Sequence, residues 1–398
     1  MNQNKPPYFR SKLPWILFLT SLFLLNFLAR VLFSPLLPIL EEELKIGHAA
    51  AASLFIYLSC GYFAALLGSS FLSARLPHRL ILAGSAIATG SVLLLGATCQ
   101  SLNTLRLIAL FLGLSCGPYL PSAIATLTDK IEKQHWGKAL AIHELAPNLA
   151  FTLAPLITAM MIGHLSWRMV LVAPGIISIT LGLLFLKFSS GGRFYSEAPR
   201  LETFRTLVTM PSLWIMVFLF TLGIASTMGL FNMLPAYLVS HFGMVHESAN
   251  KLISLSRGFT VITVFFGGWA TDHIGARRTL ILVLSITGII TFTLGLVPGP
   301  ALNLAKAMVF LQPLLAVSFF PAAFALLASS APAASRNIVV AMTISLAFLL
   351  GGGVVPYMIG LCGDAGHFGL GFAVTGIFIA SGAVITPFLR VGQNHKTP

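Results

Sequence analysis

Long apolar runs alternate with short polar breaks along the whole sequence. Runs of about 20 apolar residues are long enough, as helices, to cross a bilayer core of roughly 30 Å. We place twelve such spans at 13–40, 49–73, 80–98, 104–128, 138–163, 169–188, 212–240, 248–271, 279–297, 303–328, 337–361 and 368–389. The pattern predicts an all-α polytopic membrane protein with both termini on one side. The first apolar run is too long for a signal-peptide core and no small-residue cleavage site follows it, so it reads as a true span.

Composition supports this pattern. Of 398 residues, 57% are hydrophobic and 9% charged, far below the roughly 25% charged residues of a soluble domain. The net charge of +13 follows the topology. Lys45, Arg106, Arg168, Lys251 and Lys306 fall at or near one set of span ends, and Arg30 and Arg257 fall inside spans. The other 17 of the 24 Lys and Arg gather on the side of the termini. Basic residues concentrate in cytoplasmic loops, so both termini are expected in the cytoplasm, and the short loops suit a bacterial inner membrane. Basic charge used in this way argues against a nucleic-acid partner. The four cysteines (Cys60, Cys99, Cys116 and Cys362) lie in or beside spans without CxxC spacing. They read as packing residues, with no metal site or cofactor expected.

The two halves of the chain resemble each other. Leu37-Pro38 matches Leu234-Pro235 at an offset of 197. The segment Ala74 to Arg79 matches Asp272 to Arg277 at 198, and Leu102-Asn103, Arg106 and Pro121 match Leu302-Asn303, Lys306 and Pro321 at 200. Pro155 and Pro356 match at 201. Ordered matches at near-constant offset are the mark of transporters that rock two bundles about a midplane site. We therefore expect an N-terminal six-helix bundle over 1–188, a linker over 189–211 and a C-terminal six-helix bundle over 212–398.

One motif carries a family resemblance. Gly268-Trp269-Ala270-Thr271-Asp272-His273-Ile274-Gly275-Ala276-Arg277-Arg278 resembles the cytoplasmic motif of the major facilitator superfamily, with His273 in place of its usual basic residue. Glycine permits close helix contact and tight turns. The resemblance implies that Gly268, Asp272, Gly275, Arg277 and Arg278 form a conformational latch without touching substrate. In the first-half copy Ala74 replaces the aspartate while Arg75 and Arg79 persist, and Asp129 or Glu132 is a candidate partner for them. Ser166-Trp167-Arg168 and Pro174-Gly175 are similar to another run of the superfamily. The implied fold is two pseudo-symmetric six-helix bundles.

Ionisable residues inside a span cost roughly 2.5–3.5 kcal/mol at its centre and are functional candidates by default. Arg30 has no acidic residue within a helical turn. Its segment is similar to the first span of the anion:cation symporter and organophosphate branches, where an Arg before a Pro contacts carboxylate or phosphate. Arg257 lies mid-span in the eighth helix. Two midplane guanidinium groups make a plausible anion clamp; the alternative for Arg30 is a structural bond to carbonyls across the interface. Tyr57, Tyr62, Asn148 and Asn232 are further polar candidates for substrate contact. Glu144 and His143 are candidates for proton coupling, or Glu144 is a structural partner for a basic residue.

The expected function is secondary active transport by alternating access of a small anion, a carboxylate, phosphate ester or inorganic ion. Protons or a counter-anion would drive it, and the carrier would work as a monomer. The alternatives are an exporter of lipophilic compounds by proton antiport and a transporter-like ligand sensor. No phosphate-binding loop or metal-spaced cluster points to an enzyme.

Overall fold

The computed structural model describes residues 8–189, 191–196, 207–330 and 336–389. Residues 190 and 197–206 of the expected linker, the Arg390–Lys396 tail and the Arg336 side chain lie outside the described residues. Among the described residues, twelve helices long and apolar enough to cross a membrane appear, as expected: α1 (Phe9–Leu44), α2 (His48–Arg75), α3 (His78–Gly96), α4 (Leu102–Lys130), α5 (Lys133–Met161) and α6 (Trp167–Phe188), then α7 (Pro211–Phe242), α8 (His246–Ile274), α9 (Ala276–Leu296), α10 (Leu302–Ser329), α11 (Ile338–Asp364) and α12 (Phe368–Phe388). They form two six-helix bundles, with α1 and α7 the most enclosed. Below, the terminal end is the side of Phe9 and Phe388, and the far end is the opposite one.

Several helices break where the sequence removes a donor. Proline has no N–H to return to the carbonyl four residues earlier, and its ring crowds that carbonyl. Helix α1 turns at Leu32, three residues before Pro35, just after Arg30. Helix α5 turns at Glu144, three residues before Pro147. The repeat shows in the same feature: α4 breaks at Gly117-Pro118 and α10 at Val317-Ser318, 200 residues apart, each ahead of its matching proline, Pro121 and Pro321. In the second half, α7 widens to a π-turn over Ala225–Gly229 and α11 over Phe348–Val354. Such turns shift carbonyls out of the regular ladder.

Small residues set the spacing between helices, since apolar packing alone gives little drive between helices in lipid. A Cβ on Gly113 of α4 would fall 2.0 Å from the Leu58 carbonyl of α2, so only glycine fits there. At the far end, Arg168 pairs with Glu43 at 2.8 Å and the Trp167 indole donates to the same carboxylate at 2.6 Å. The Trp-Arg pair opening α6 is thus a clamp on the end of α1.

The two bundles meet at mid-depth and towards the far end. The Asp364 carboxylate of α11 accepts the backbone N–H of His48 at 2.6 Å and of Ala49 at 3.1 Å, capping α2 across the interface. His246 of α8 lies 3.3 Å from Glu42 of α1. Deeper, Ser34 donates to the Phe231 carbonyl at 2.6 Å and Ser254 to the Thr152 carbonyl at 2.9 Å.

Candidate functional site

Arg30 sits in the last turn before the α1 break, 2% exposed. Its guanidinium lies over three rings, Tyr62 at 4.0 Å and Phe27 and Phe348 at 4.6 Å each. Aromatic faces are negative and hold a cation at the cost of little hydration. They accept no N–H in the guanidinium plane, however. Nε and Nη2 of Arg30 are buried with no hydrogen-bond partner among the described residues. These two nitrogens share one edge of the guanidinium, the fork that receives both oxygens of a planar anion.

Arg257, on α8, is 5% exposed. It donates through Nη2 to the Thr227 carbonyl at 2.6 Å, inside the α7 π-turn. Its guanidinium also lies 4.7 Å from the Phe151 ring and 5.0 Å from Phe231. Phe151 meets Phe231 edge-on at 4.8 Å and Phe27 at 5.2 Å. One run of rings from both bundles therefore joins the surroundings of the two arginines. No described carboxylate is buried, and among the described residues ring faces and one backbone carbonyl stand against their charge. Leaving a buried polar group unpaired is costly, and the Arg30 edge is such a group.

The other sequence candidates divide. Tyr62 lies under Arg30 and is 2% exposed. Asn232 is fully buried and donates to the Gly352 carbonyl at 3.1 Å; Pro356 lacks the N–H that would bond back along α11 near there. The Asn232 Oδ1 has no partner among the described residues. Asn148 is half-buried, with Oδ1 3.5 Å from the Thr260 hydroxyl across the interface. Tyr57 is not brought to the arginines. It is 37% exposed on another face of α2, 5.8 Å from the Arg106 guanidinium.

His143 and Glu144 straddle the α5 break with different surroundings. His143 is fully buried, stacked on Phe23 at 4.5 Å, with Nε2 3.5 Å from the Tyr119 hydroxyl. Its Nδ1 makes no hydrogen bond among the described residues and stands 3.7 Å from the Glu144 carboxylate, which is 53% exposed. The pair joins a buried imidazole to an accessible acid.

The motif segment departs from expectation in its details. Gly275 adopts φ +95°, the turn that glycine permits. The close helix contact falls one residue before the expected position: a Cβ on Gly267 would lie 2.6 Å from the Ser318 Cβ, whereas one on Gly268 meets nothing within 4 Å. Asp272 is exposed and makes no ion pair among the described residues. Arg277 donates to the Leu389 carbonyl beyond α12, and Arg278 is exposed. In the first half, Arg79 donates to the Leu186 carbonyl. Arg75 and Asp129 are exposed, with no ion pair between Asp129 and either arginine among the described residues. The expected carboxylate partner is replaced by backbone, because α6 ends within reach of Arg79.

Sequence reasoning missed Phe27, Phe151, Phe231 and Phe348, which line the centre. With 31 phenylalanines in the chain, no local signal separates these four from the rest. It also missed Asp364, whose capping role depends on a helix 316 residues away.

Comparison with known proteins agrees with this architecture. A bacterial homologue of the human lysosomal transporter Spinster, in an inward-facing and occupied conformation, superposes with a TM-score of 0.79 at 15% identity over 97% of both chains. The D-xylose-proton symporter gives 0.77 at 15% identity, over 93% of this chain and 96% of the other. Likeness at that identity concerns the fold alone. In sequence, 169 residues are 28% identical to a Mycobacterium tuberculosis protein named "Probable nitrate/nitrite transporter NarK2", 42% of each chain. The match thus spans less than half the length of that relative. The sequence model of the Major Facilitator Superfamily matches residues 19–343. With that match laid over twelve helices in two bundles, the chain belongs to the Major Facilitator Superfamily of secondary transporters.

Proposed function

We propose that this transporter carries a small anion, gripped between Arg30 and Arg257. The observation that carries the proposal is the buried Nε and Nη2 edge of Arg30, without a partner among the described residues, in a centre where no described carboxylate is buried. A carboxylate, phosphate ester or small oxyanion would supply both acceptors at once and neutralise the guanidinium. Arg257 would approach the same anion from the second bundle, leaving the Thr227 carbonyl. The rings between them admit a planar or apolar remainder of the solute. The printed name of the Mycobacterium tuberculosis relative, a nitrate/nitrite transporter, agrees in charge sign.

We assign coupling to protons through Glu144 and His143, with anion exchange as the alternative. The accessible carboxylate would pick up the proton and the buried imidazole hold it. In this reading the termini and the basic end face the cytoplasm, and the contacts at Asp364 and Glu42 close the opposite side.

Proteoliposomes test this directly. Uptake of radiolabelled nitrate, acetate and a phosphate ester is measured under imposed proton gradients in wild type, Arg30→Ala and Arg257→Ala. Accumulation of one of these anions is expected in wild type, with loss in both variants. Undiminished uptake in both variants would overturn the clamp.

A further inference from the structure

At the terminal end of the first bundle, away from the central arginines, lies a cavity of about 320 Å³. It is lined by Pro77, Arg79, Leu80, Leu186, Arg193 and Tyr195. We infer that this cavity binds the phosphate-bearing headgroup of an anionic phospholipid.

Among the described residues the lining holds two arginines and a tyrosine and no carboxylate. Arg79 uses Nη2 on the Leu186 carbonyl, and its Nε is buried without a partner among the described residues. Arg193 is exposed, ready to add a second guanidinium to a phosphate. Guanidinium binds phosphate oxygens through paired donors. The rim selects a lipid over a soluble anion. Leu80 is 46% exposed and Tyr195 is 60% exposed. Apolar side chains flanking a basic notch at the end of a spanning helix sit where acyl chains meet headgroups. Tyrosine is enriched at that depth, and basic pockets between helix ends receive lipid phosphates. A free phosphate gains nothing from Leu80 and Leu186.

The cavity wall is built partly from the segment that leads towards the second bundle. Residues 191–196 dock on the first turn of α3: the backbone N–H of Arg79 donates to the Gly192 carbonyl at 2.7 Å and that of His78 to the Phe194 carbonyl at 3.3 Å. The Ser196 N–H donates to the Ser73 carbonyl at 2.9 Å, and His78 Nε2 lies 3.0 Å from the Ser196 hydroxyl. A headgroup held by Arg79 and Arg193 would bridge the helix end and this segment, pinning the start of the connection between bundles.

The test compares thermal unfolding of the purified full chain in detergent with added phosphatidylglycerol, phosphatidylcholine or inorganic phosphate. Phosphatidylglycerol is expected to raise the midpoint by about 3–5 °C above phosphatidylcholine. Arg193→Gln and the Arg79→Gln/Arg193→Gln pair should abolish that difference, whereas Arg278→Gln, an exposed arginine of the second bundle, should retain it. Arg193→Gln alone decides the matter if the double variant does not fold. Equal midpoints with the two lipids, an undiminished shift in Arg193→Gln, or a full shift from inorganic phosphate alone would each overturn the lipid assignment. None of these readouts depends on what the central site carries.

Discussion

Arg257 donates to the carbonyl of Thr227 at 2.6 Å, and Thr227 occupies in the second repeat the position that Arg30 occupies in the first, 197 residues earlier. The two arginines thus reach the centre from non-equivalent helices, α1 in one bundle and α8 in the other. Their hydrogen bonding differs accordingly. The π-turn of α7 gives Arg257 a backbone acceptor, whereas Arg30 lies against ring faces with its Nε and Nη2 unpartnered among the described residues. Arg30 is therefore the group with the most to gain from an anion, and the first prediction concerns it.

Arg30→Lys keeps the charge but loses the two coplanar donors. Anion affinity should fall about 10- to 100-fold, or about 1.4–2.8 kcal/mol. Titration of purified protein with the transported anion checks this, and wild-type affinity in the lysine variant would remove the bidentate grip.

Arg257→Met separates function from stability. A buried charge answered by one carbonyl and two rings contributes little net stability, and well-packed apolar replacements of buried charges are often neutral or stabilising. The variant should unfold at or above the wild-type midpoint while uptake falls to background. A midpoint several degrees lower would show that Arg257 is chiefly structural.

The glycines of the motif segment should respond in opposite directions. Gly267→Ala drives a methyl into Ser318, with Cα and Cβ both within 2.7 Å, and should cost about 1–3 kcal/mol. Gly268→Ala meets open space and gains helix propensity, stabilising by up to about 1 kcal/mol. Thermal unfolding of the pair tells them apart; equal effects would contradict the packing described.

Asp364→Ala removes the acceptors that cap α2 across the bundles, a loss of about 0.5–2 kcal/mol by analogy with other helix caps. The far end should open more often. In a cysteine-free background, Cys introduced at Ser59, which packs on Gly353 of α11, should react faster with a membrane-impermeant thiol reagent. An unchanged labelling rate would mean the cap does not hold this end closed.

Glu144→Gln removes the accessible acid beside His143. Proton-driven accumulation should disappear while counterflow of the anion continues, measured in the same vesicles with and without a pH gradient. Loss of both activities would assign Glu144 to folding or binding instead.

The sequence by itself settled the broad architecture. Twelve spans followed from apolar length alone, because a helix must be long enough to cross the bilayer core whatever its neighbours. The matching breaks in α4 and α10 follow the repeated prolines Pro121 and Pro321, since proline acts on its own helix. The Gly275 turn was legible for the same local reason. Arg30 and Arg257 stood out because charge within a span is rare and costly.

What tertiary packing decided was every relation between helices. Which phenylalanines face the arginines, the replacement of a carboxylate by the Leu186 carbonyl at Arg79, and the transfer of close contact from Gly268 to Gly267 all depend on the rotation of one helix against another. Tyr57 and Tyr62 are five residues apart on one helix, more than a full turn, yet only Tyr62 lies under Arg30. Periodicity in a helix apolar all round does not mark a core face, so the chain pattern named the buried charges while the packed bundles chose their surroundings.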